Sequence, residues 1–292
     1  LFPGSTLLNS RRVHMTELGR FNELMITKKT TRGVYLDGQE VGEILLPHKH
    51  VPEKCTIGDT IEVFLYINAQ NDVIATTNRP HAIVGEFALM TVVSVVSIGA
   101  FLDWNLPKDL FVPVSEQKPP MVEGMSYIVY VYRDERTNRI VASSHIDRYL
   151  DKQPAVYREK QAVDLLIGYE TELGYRAIIN NAHWGVVYKN EVFQPLQRGQ
   201  RIQGFIKKLR PDGKIDLCLQ KQGYSVAGES SEKILQVLKD KGGFIPITDK
   251  SSPDTIYGMF GVSKKTYKKA IGALYKKRVI TIGKDGIQLV TM

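Results

Sequence analysis

The segments around Gly33 and Gly99 repeat one another at fixed offsets, and this constrains the fold more than any other feature of the chain. Gly33 lies in Arg32-Gly33-Val34-Tyr35-Leu36, and Gly99 lies in Ile98-Gly99-Ala100-Phe101-Leu102. Fourteen residues on, each copy reaches a proline behind apolar residues, Leu45-Leu46-Pro47 or Phe111-Val112-Pro113. Twenty-five residues on, each reaches a second glycine, Gly58 or Gly124. An alternating strand follows, carrying Ile61, Val63 and Leu65 in one copy and Tyr127, Val129 and Val131 in the other. A polar turn, Asn68 to Asp72 or Arg133 to Asn138, then leads to a short last strand, Val73-Ile74-Ala75-Thr76 or Ile140-Val141-Ala142-Ser143. A glycine inside a strand permits the sharp coiling and close backbone approach needed to close a small barrel.

A third copy is expected to be shorter. Trp184-Gly185-Val186-Val187-Tyr188 matches the first glycine motif, and Gly199 follows Gly185 after fourteen residues instead of twenty-five. Its last hairpin reads Phe205-Ile206-Lys207-Lys208-Leu209, a Pro211-Asp212-Gly213 turn, then Lys214-Ile215-Asp216-Leu217-Cys218-Leu219. The predicted architecture is three all-β barrels over residues 15–80, 81–150 and 162–224, with 151–161 as a linker. Residues 1–14 lack the order of a signal peptide, because Arg11-Arg12 follows the apolar stretch, and are expected to be a poorly ordered leader.

Residues 225–231 are small and polar and predict a second linker. Residues 232–292 then read as a winged helix. An amphipathic helix over Glu232 to Lys241 is followed by a short strand at Phe244-Ile245-Pro246-Ile247. Ser252 and Ser263 cap two further helices, and a hairpin over Val279 to Val290 closes the domain. The third helix places Tyr267, Ala270, Ile271 and Leu274 on one side and Lys265, Lys268, Lys269 and Lys276 on the other, with Lys264 flanking. Lys284 sits at the hairpin tip. Lysines act as point charges on phosphates, so this face predicts binding indifferent to sequence.

The glycine-centred repeat resembles the S1-like RNA-binding domain, which implies that each of the three barrels is a five-stranded OB-fold barrel. The second copy carries the resemblance best, through Gly99-Ala100-Phe101, Leu110 to Pro113, Gly124, Asp134 and Arg139-Ile140-Val141-Ala142-Ser143; the third carries it at its end and the first weakly. The resemblance implies that aromatic side chains on one barrel face stack unpaired bases while nearby cations hold phosphates. By position it implicates Phe101, Pro113, Asp134 and Arg139 in the second copy. In the third it implicates Trp184, Asp212 and Lys214, with Lys207, Lys208 and Arg210 beside them, and in the first Arg32 and Tyr35. Three such barrels followed by a winged helix resemble the bacterial conserved virulence factor B family. That likeness implies an RNA-binding protein that influences expression of other genes, including virulence factors.

Charge is distributed unevenly within the net +8 of the chain. Residues 15–80 hold 7 basic and 9 acidic side chains, residues 81–161 hold 9 and 10, residues 162–224 hold 9 and 6, and residues 229–292 hold 12 and 6. The electrostatic grip on phosphates is therefore expected in the C-terminal half. Cys55 and Cys218 make neither a disulfide framework nor a metal clip and fit a reducing, cytoplasmic compartment. No window is apolar enough for a membrane span. There is no phosphate loop, zinc-ligand spacing or nucleophile elbow, His48-x-His50 is not read as a metal site, and the carboxylates are scattered. No enzymatic activity, cofactor or metal is expected. The expected partner is single-stranded RNA. The alternatives are DNA, for a regulator led by the winged helix, and a ribonuclease or ribosome-associated protein to which the chain would be accessory.

Overall fold

The computed structural model describes residues 15–189, 192, 195–219 and 226–290, with side chains described from Ser230 in the last of these segments. The expected leader over residues 1–14 and the stretch 220–225 lie outside the described residues. Strands β1 (Phe21–Thr30), β2 (Gly33–Asp37), β3 (Glu43–Pro47), β4 (Thr60–Ile67) and β5 (Val73–Thr76) close the first barrel. Strands β6 (Phe87–Val96), β7 (Gly99–Leu102), β8 (Leu110–Pro113), β9 (Ser126–Arg133) and β10 (Ile140–Ser143) close the second. Strands β11 (Ala162–Glu170), β12 (Gly174–Ile179), β13 (His183–Tyr188), β14 (Arg201–Leu209) and β15 (Ile215–Cys218) close the third. Around each barrel the strand order is first, second, third, fifth, fourth, with the third and fifth strands parallel. This is the OB-fold arrangement.

The repeat is complete in all three barrels, and its third copy is not shortened. The glycine equivalent to Gly33 and Gly99 is Gly174, which opens β12, whereas Gly185 lies one strand later in β13. Gly33 pairs with Pro47, Gly99 with Pro113 and Gly174 with Tyr188, so a tyrosine replaces the proline. A Cβ on these three glycines would lie 2.1, 2.3 and 2.2 Å from the carbonyl oxygens of Leu46, Val112 and Val187. The second glycines match too. The N–H groups of Gly58, Gly124 and Gly199 donate to the carbonyls of Ile26, Val92 and Ile167 at 2.9, 2.9 and 2.7 Å. Each acceptor sits at the bulge that lets its long first strand coil from one neighbour to the next. The interval from Gly174 to Gly199 is the same twenty-five residues found in the other two copies.

The chain divides into two compact units between Leu150 and Asp151. In the first unit, Phe64 and Tyr66 of the first barrel share a hydrophobic cluster with the second barrel's core. Trp104 is 3% exposed. Its indole meets Phe64 edge-on at 5.6 Å, and its Nε1 donates to the Ala82 carbonyl at 2.7 Å.

In the second unit, the expected linker 151–161 is fastened to the third barrel. Asp151 donates its N–H to the Ala182 carbonyl at 2.9 Å, and Lys160 donates to Ile206 at 2.7 Å. His183, buried, contacts the Tyr157 hydroxyl through Nδ1 and the Gln153 carbonyl through Nε2, both at 2.8 Å.

Beyond the barrels come α1 (Val226–Asp240), β16 (Phe244–Ile245), α2 (Pro253–Phe260), α3 (Lys264–Lys276), β17 (Ile280–Ile282) and β18 (Ile287–Leu289). The residues expected as a linker over 225–231 are helical from Val226. Small side chains let the helix approach its neighbour: Ser230 and Ser231 are buried, and the Ser231 hydroxyl donates to the Ala270 carbonyl of α3 at 3.3 Å. Ser252 and Ser263 cap α2 and α3 by accepting from the N–H groups of Thr255 and Thr266. Tyr267, Ala270, Ile271 and Leu274 of α3 are buried against Ile234 and Leu238 of α1 and the β16-β18-β17 sheet. No helix among the described residues is long and apolar enough to cross a membrane.

Candidate nucleic-acid interface

On β7, Ala100 and Leu102 point into the barrel, which leaves Phe101 half-buried on the outer face. Phe111 is its register partner on β8, and the two ring centroids lie 5.2 Å apart at 45°. They line a pocket of about 170 Å³ together with Ile98, Lys108, Asp109 and Arg139. Trp104, from the segment between β7 and β8, and Ile67 of the first barrel also border it.

Lys108 donates from Nζ to the Asn68 carbonyl at 3.0 Å, which fixes the ammonium at the pocket's edge. Burial, and then the positive charge of Arg139, lowers the Lys108 pKa. Burial and the neighbouring Asp103 raise that of Asp109. An apolar wall with two cations and a carboxyl at its rim can take a flat ring and bond to its polar edge.

Asp134 acts one step back from this surface. Its Oδ1 accepts from the Thr137 N–H at 2.7 Å, the Thr137 hydroxyl at 3.0 Å and the Arg136 N–H at 3.0 Å. The Thr137 backbone bond is the chief reason its carboxyl lies below the usual pKa. Its own N–H donates to the Arg139 carbonyl at 2.9 Å, so Asp134 shapes the turn from which Arg139 projects. Pro113 is half-buried at the end of β8.

The first barrel repeats the surface in reduced form. Tyr35 is half-buried on β2, with Lys28 Nζ 5.5 Å from its ring centroid, but the residue opposite is Leu45 and not an aromatic. Arg32 is exposed in the turn before β2. His50 is buried, which lowers its pKa, and no cluster of three or more His, Cys, Asp or Glu that could hold a metal ion occurs among the described residues.

The third barrel differs more. Trp184 is half-buried on the outer face of β13. The cation over its ring is Arg176, absent from the expected set, with its guanidinium carbon 4.0 Å from the ring centroid. Of the expected cations, Arg210 is held by Asp216, Nε to Oδ2 at 3.0 Å, and donates to the Tyr188 hydroxyl. Lys214 pairs with Asp212 at 3.0 Å. Lys207 is half-buried, and Lys208 is exposed in register with Asp216. Arg210 and Lys214 are thus paired with carboxylates, which weakens the basic patch that the sequence suggests.

On α3, Lys265 and Lys269 are exposed. Lys268 pairs with Asp249 at 3.4 Å, and Lys264 donates to the Lys250 carbonyl at 3.2 Å. Lys284 is exposed in the short turn between β17 and β18. Both cysteines are buried thiols outside any disulfide, and the Cys218 thiol donates to the Phe205 carbonyl at 3.8 Å.

The chain matches the S1 domain family over residues 18–78 and the CvfB-like winged helix domain family over residues 232–289. It is 26% identical over 245 residues to conserved virulence factor B of Staphylococcus epidermidis (strain ATCC 35984), with 80% of each chain covered. Over most of its length the chain is thus similar to conserved virulence factor B. The S1 match falls on the first barrel, whose motif is the weaker by its aromatics. Another relative is YitL of Bacillus subtilis (strain 168), 28% identical over 268 residues with 87% of each chain covered. A solved multidomain protein with nucleic acid binding domains from Streptococcus pneumoniae is 24% identical, with a TM-score of 0.39 over 94% of this chain and 98% of that one. For a conserved virulence factor B relative, an S1 domain combined with this winged helix supports nucleic-acid binding.

Proposed function

We propose that the chain binds single-stranded RNA with little regard to sequence and, through that binding, regulates other genes, virulence factors among them as the name of its relatives suggests. The paired rings of Phe101 and Phe111 beside Lys108 and Arg139 carry this reading. Rings of this kind on an OB-fold face suit unpaired bases, because a duplex keeps its bases stacked inside and offers mainly phosphates. The chain's own role is binding without catalysis, in the cytoplasm, and a ribonuclease or a ribosome-associated protein is the partner class that would act on the captured strand.

A second reading is a DNA-binding regulator led by the winged helix, favoured by the exposed Lys265 and Lys269 of α3. Filter binding of the full chain at matched salt separates the two. Single-stranded RNA is expected to bind more tightly than duplex DNA, and the reverse ranking would favour the regulator. The salt dependence should steepen by about 0.7 log units for each phosphate contact made on single strands.

A further inference from the structure

Two residues beyond Gly33, Gly99 and Gly174 stand Tyr35, Phe101 and Arg176, each half-buried on the same strand of its barrel. The register pairs match: Tyr35 faces Leu45, Phe101 faces Phe111 and Arg176 faces Val186. The third barrel therefore carries a guanidinium where the other two carry rings. Its setting is aromatic. The Arg176 guanidinium carbon lies 4.0 Å from the Trp184 ring centroid and 5.4 Å from that of Tyr169, and its NH1 donates to the Tyr169 hydroxyl. Tyr169 and Trp184 meet edge to face at 6.1 Å, and neither belongs to the barrel's hydrophobic core. Tyr169 is 46% exposed.

We infer that Arg176 is the stacking residue of the third barrel, its guanidinium plane receiving a base of single-stranded RNA at the position where Tyr35 and Phe101 offer rings. The assignment rests on the single-strand reading above. A guanidinium is planar and weakly hydrated, and bases stack on it as they do on aromatic rings. The Trp184 indole backs one face and the Tyr169 hydroxyl holds one edge, so the group is oriented before a ligand arrives and loses little freedom on binding. The other face takes the base, and the remaining N–H groups reach its acceptor atoms or the adjoining phosphate. Trp184 supports the plane and does not itself touch the base.

The test is equilibrium binding of a fluorescent oligoadenylate of about twelve nucleotides, within the span an OB-fold covers. It uses the full chain, Arg176→Ala and Arg176→Lys, each checked for an unchanged circular dichroism melt, in elevated salt. Both variants are expected to bind about tenfold more weakly. Arg176→Lys keeps the wild-type salt slope because its charge remains, and Arg176→Ala loses about 0.7 log units of slope. Full rescue by lysine would overturn the assignment and leave Arg176 as a simple cation; so would wild-type affinity in both variants. If Arg176→Ala fails to fold, the lysine variant alone decides. Failure of the wild-type chain itself to bind the strand would instead reject the single-strand reading.

Discussion

Phe101→Ala is expected to weaken binding of single-stranded RNA about tenfold, by the same factor in dilute buffer and in elevated salt. The two conditions differ in the phosphate contacts and not in the stacking. On the proposed reading, exposed lysines such as Lys265, Lys269 and Lys284 hold phosphates in dilute buffer. Salt screens those contacts, and the residual affinity comes from rings on bases. Phe101, packed against Phe111, would supply that contact in the second barrel. The loss should appear without a change in melting, because Phe101 stands on the outer face and the buried residues of β7 are Ala100 and Leu102. Titration of labelled RNA at two salt concentrations checks this, and a loss that fades as salt rises would assign Phe101 a role other than stacking.

Gly174→Ala is expected to cost the third barrel about 3 kcal/mol or more, whereas Gly185→Ala costs about 1–2 kcal/mol. The two glycines face different obstacles. A Cβ on Gly174 would lie 2.2 Å from the Val187 carbonyl oxygen and 2.8 Å from the Tyr188 Cα, both fixed by the β12–β13 ladder, and φ there is +155°. A Cβ on Gly185 would meet the ends of Leu217 and Ile179 at 2.6 and 2.8 Å, and side-chain ends can turn aside. Hydrogen exchange resolved along the chain is the suitable measurement, since a single melting temperature is ill-defined for a multidomain protein. Gly174→Ala should strip protection from β11 to β15 and leave β1 to β10 as in the parent chain. A larger effect from Gly185→Ala would restore the shortened third repeat that its sequence suggests.

The fold was legible from spacing because barrel closure makes backbone demands that survive divergence of the side chains. Gly33 and Gly99 must approach a carbonyl on the third strand, and Gly58 and Gly124 must take positive φ at a turn. In the third copy the same demands fall on Gly174 and Gly199. Matching by aromatic neighbours selects Trp184-Gly185 instead, since Tyr175-Arg176 does not look like a ring pair and Tyr188 replaces the proline. The twenty-five-residue interval alone identifies Gly174.

What composition concealed was contact between distant residues. Residues 151–161 are polar and contain Pro154, yet Asp151, Tyr157 and Lys160 tie them to the third barrel. Ser230 and Ser231 suit a linker by type, but they are the small residues that let α1 pack on Ala270. At the candidate interface, Phe101 and Arg139 were accessible to pattern, and Phe111 follows from alternation in Leu110-Phe111-Val112. Lys108 and Arg176 were not, because one depends on the Asn68 carbonyl from another barrel and the other on an indole reached across a strand pair. The acid partners of Arg210 and Lys214 were equally hidden within a run that reads as basic.

Ultraviolet crosslinking of the full chain to unmodified single-stranded RNA, with the attached peptides sequenced, examines the outer barrel faces directly. Adducts should concentrate on the peptides that carry Phe101 and Phe111, with a second group at Tyr169 to Trp184. Adducts confined to the winged helix, with the barrel peptides untouched, would contradict the assignment of base contacts to the barrels.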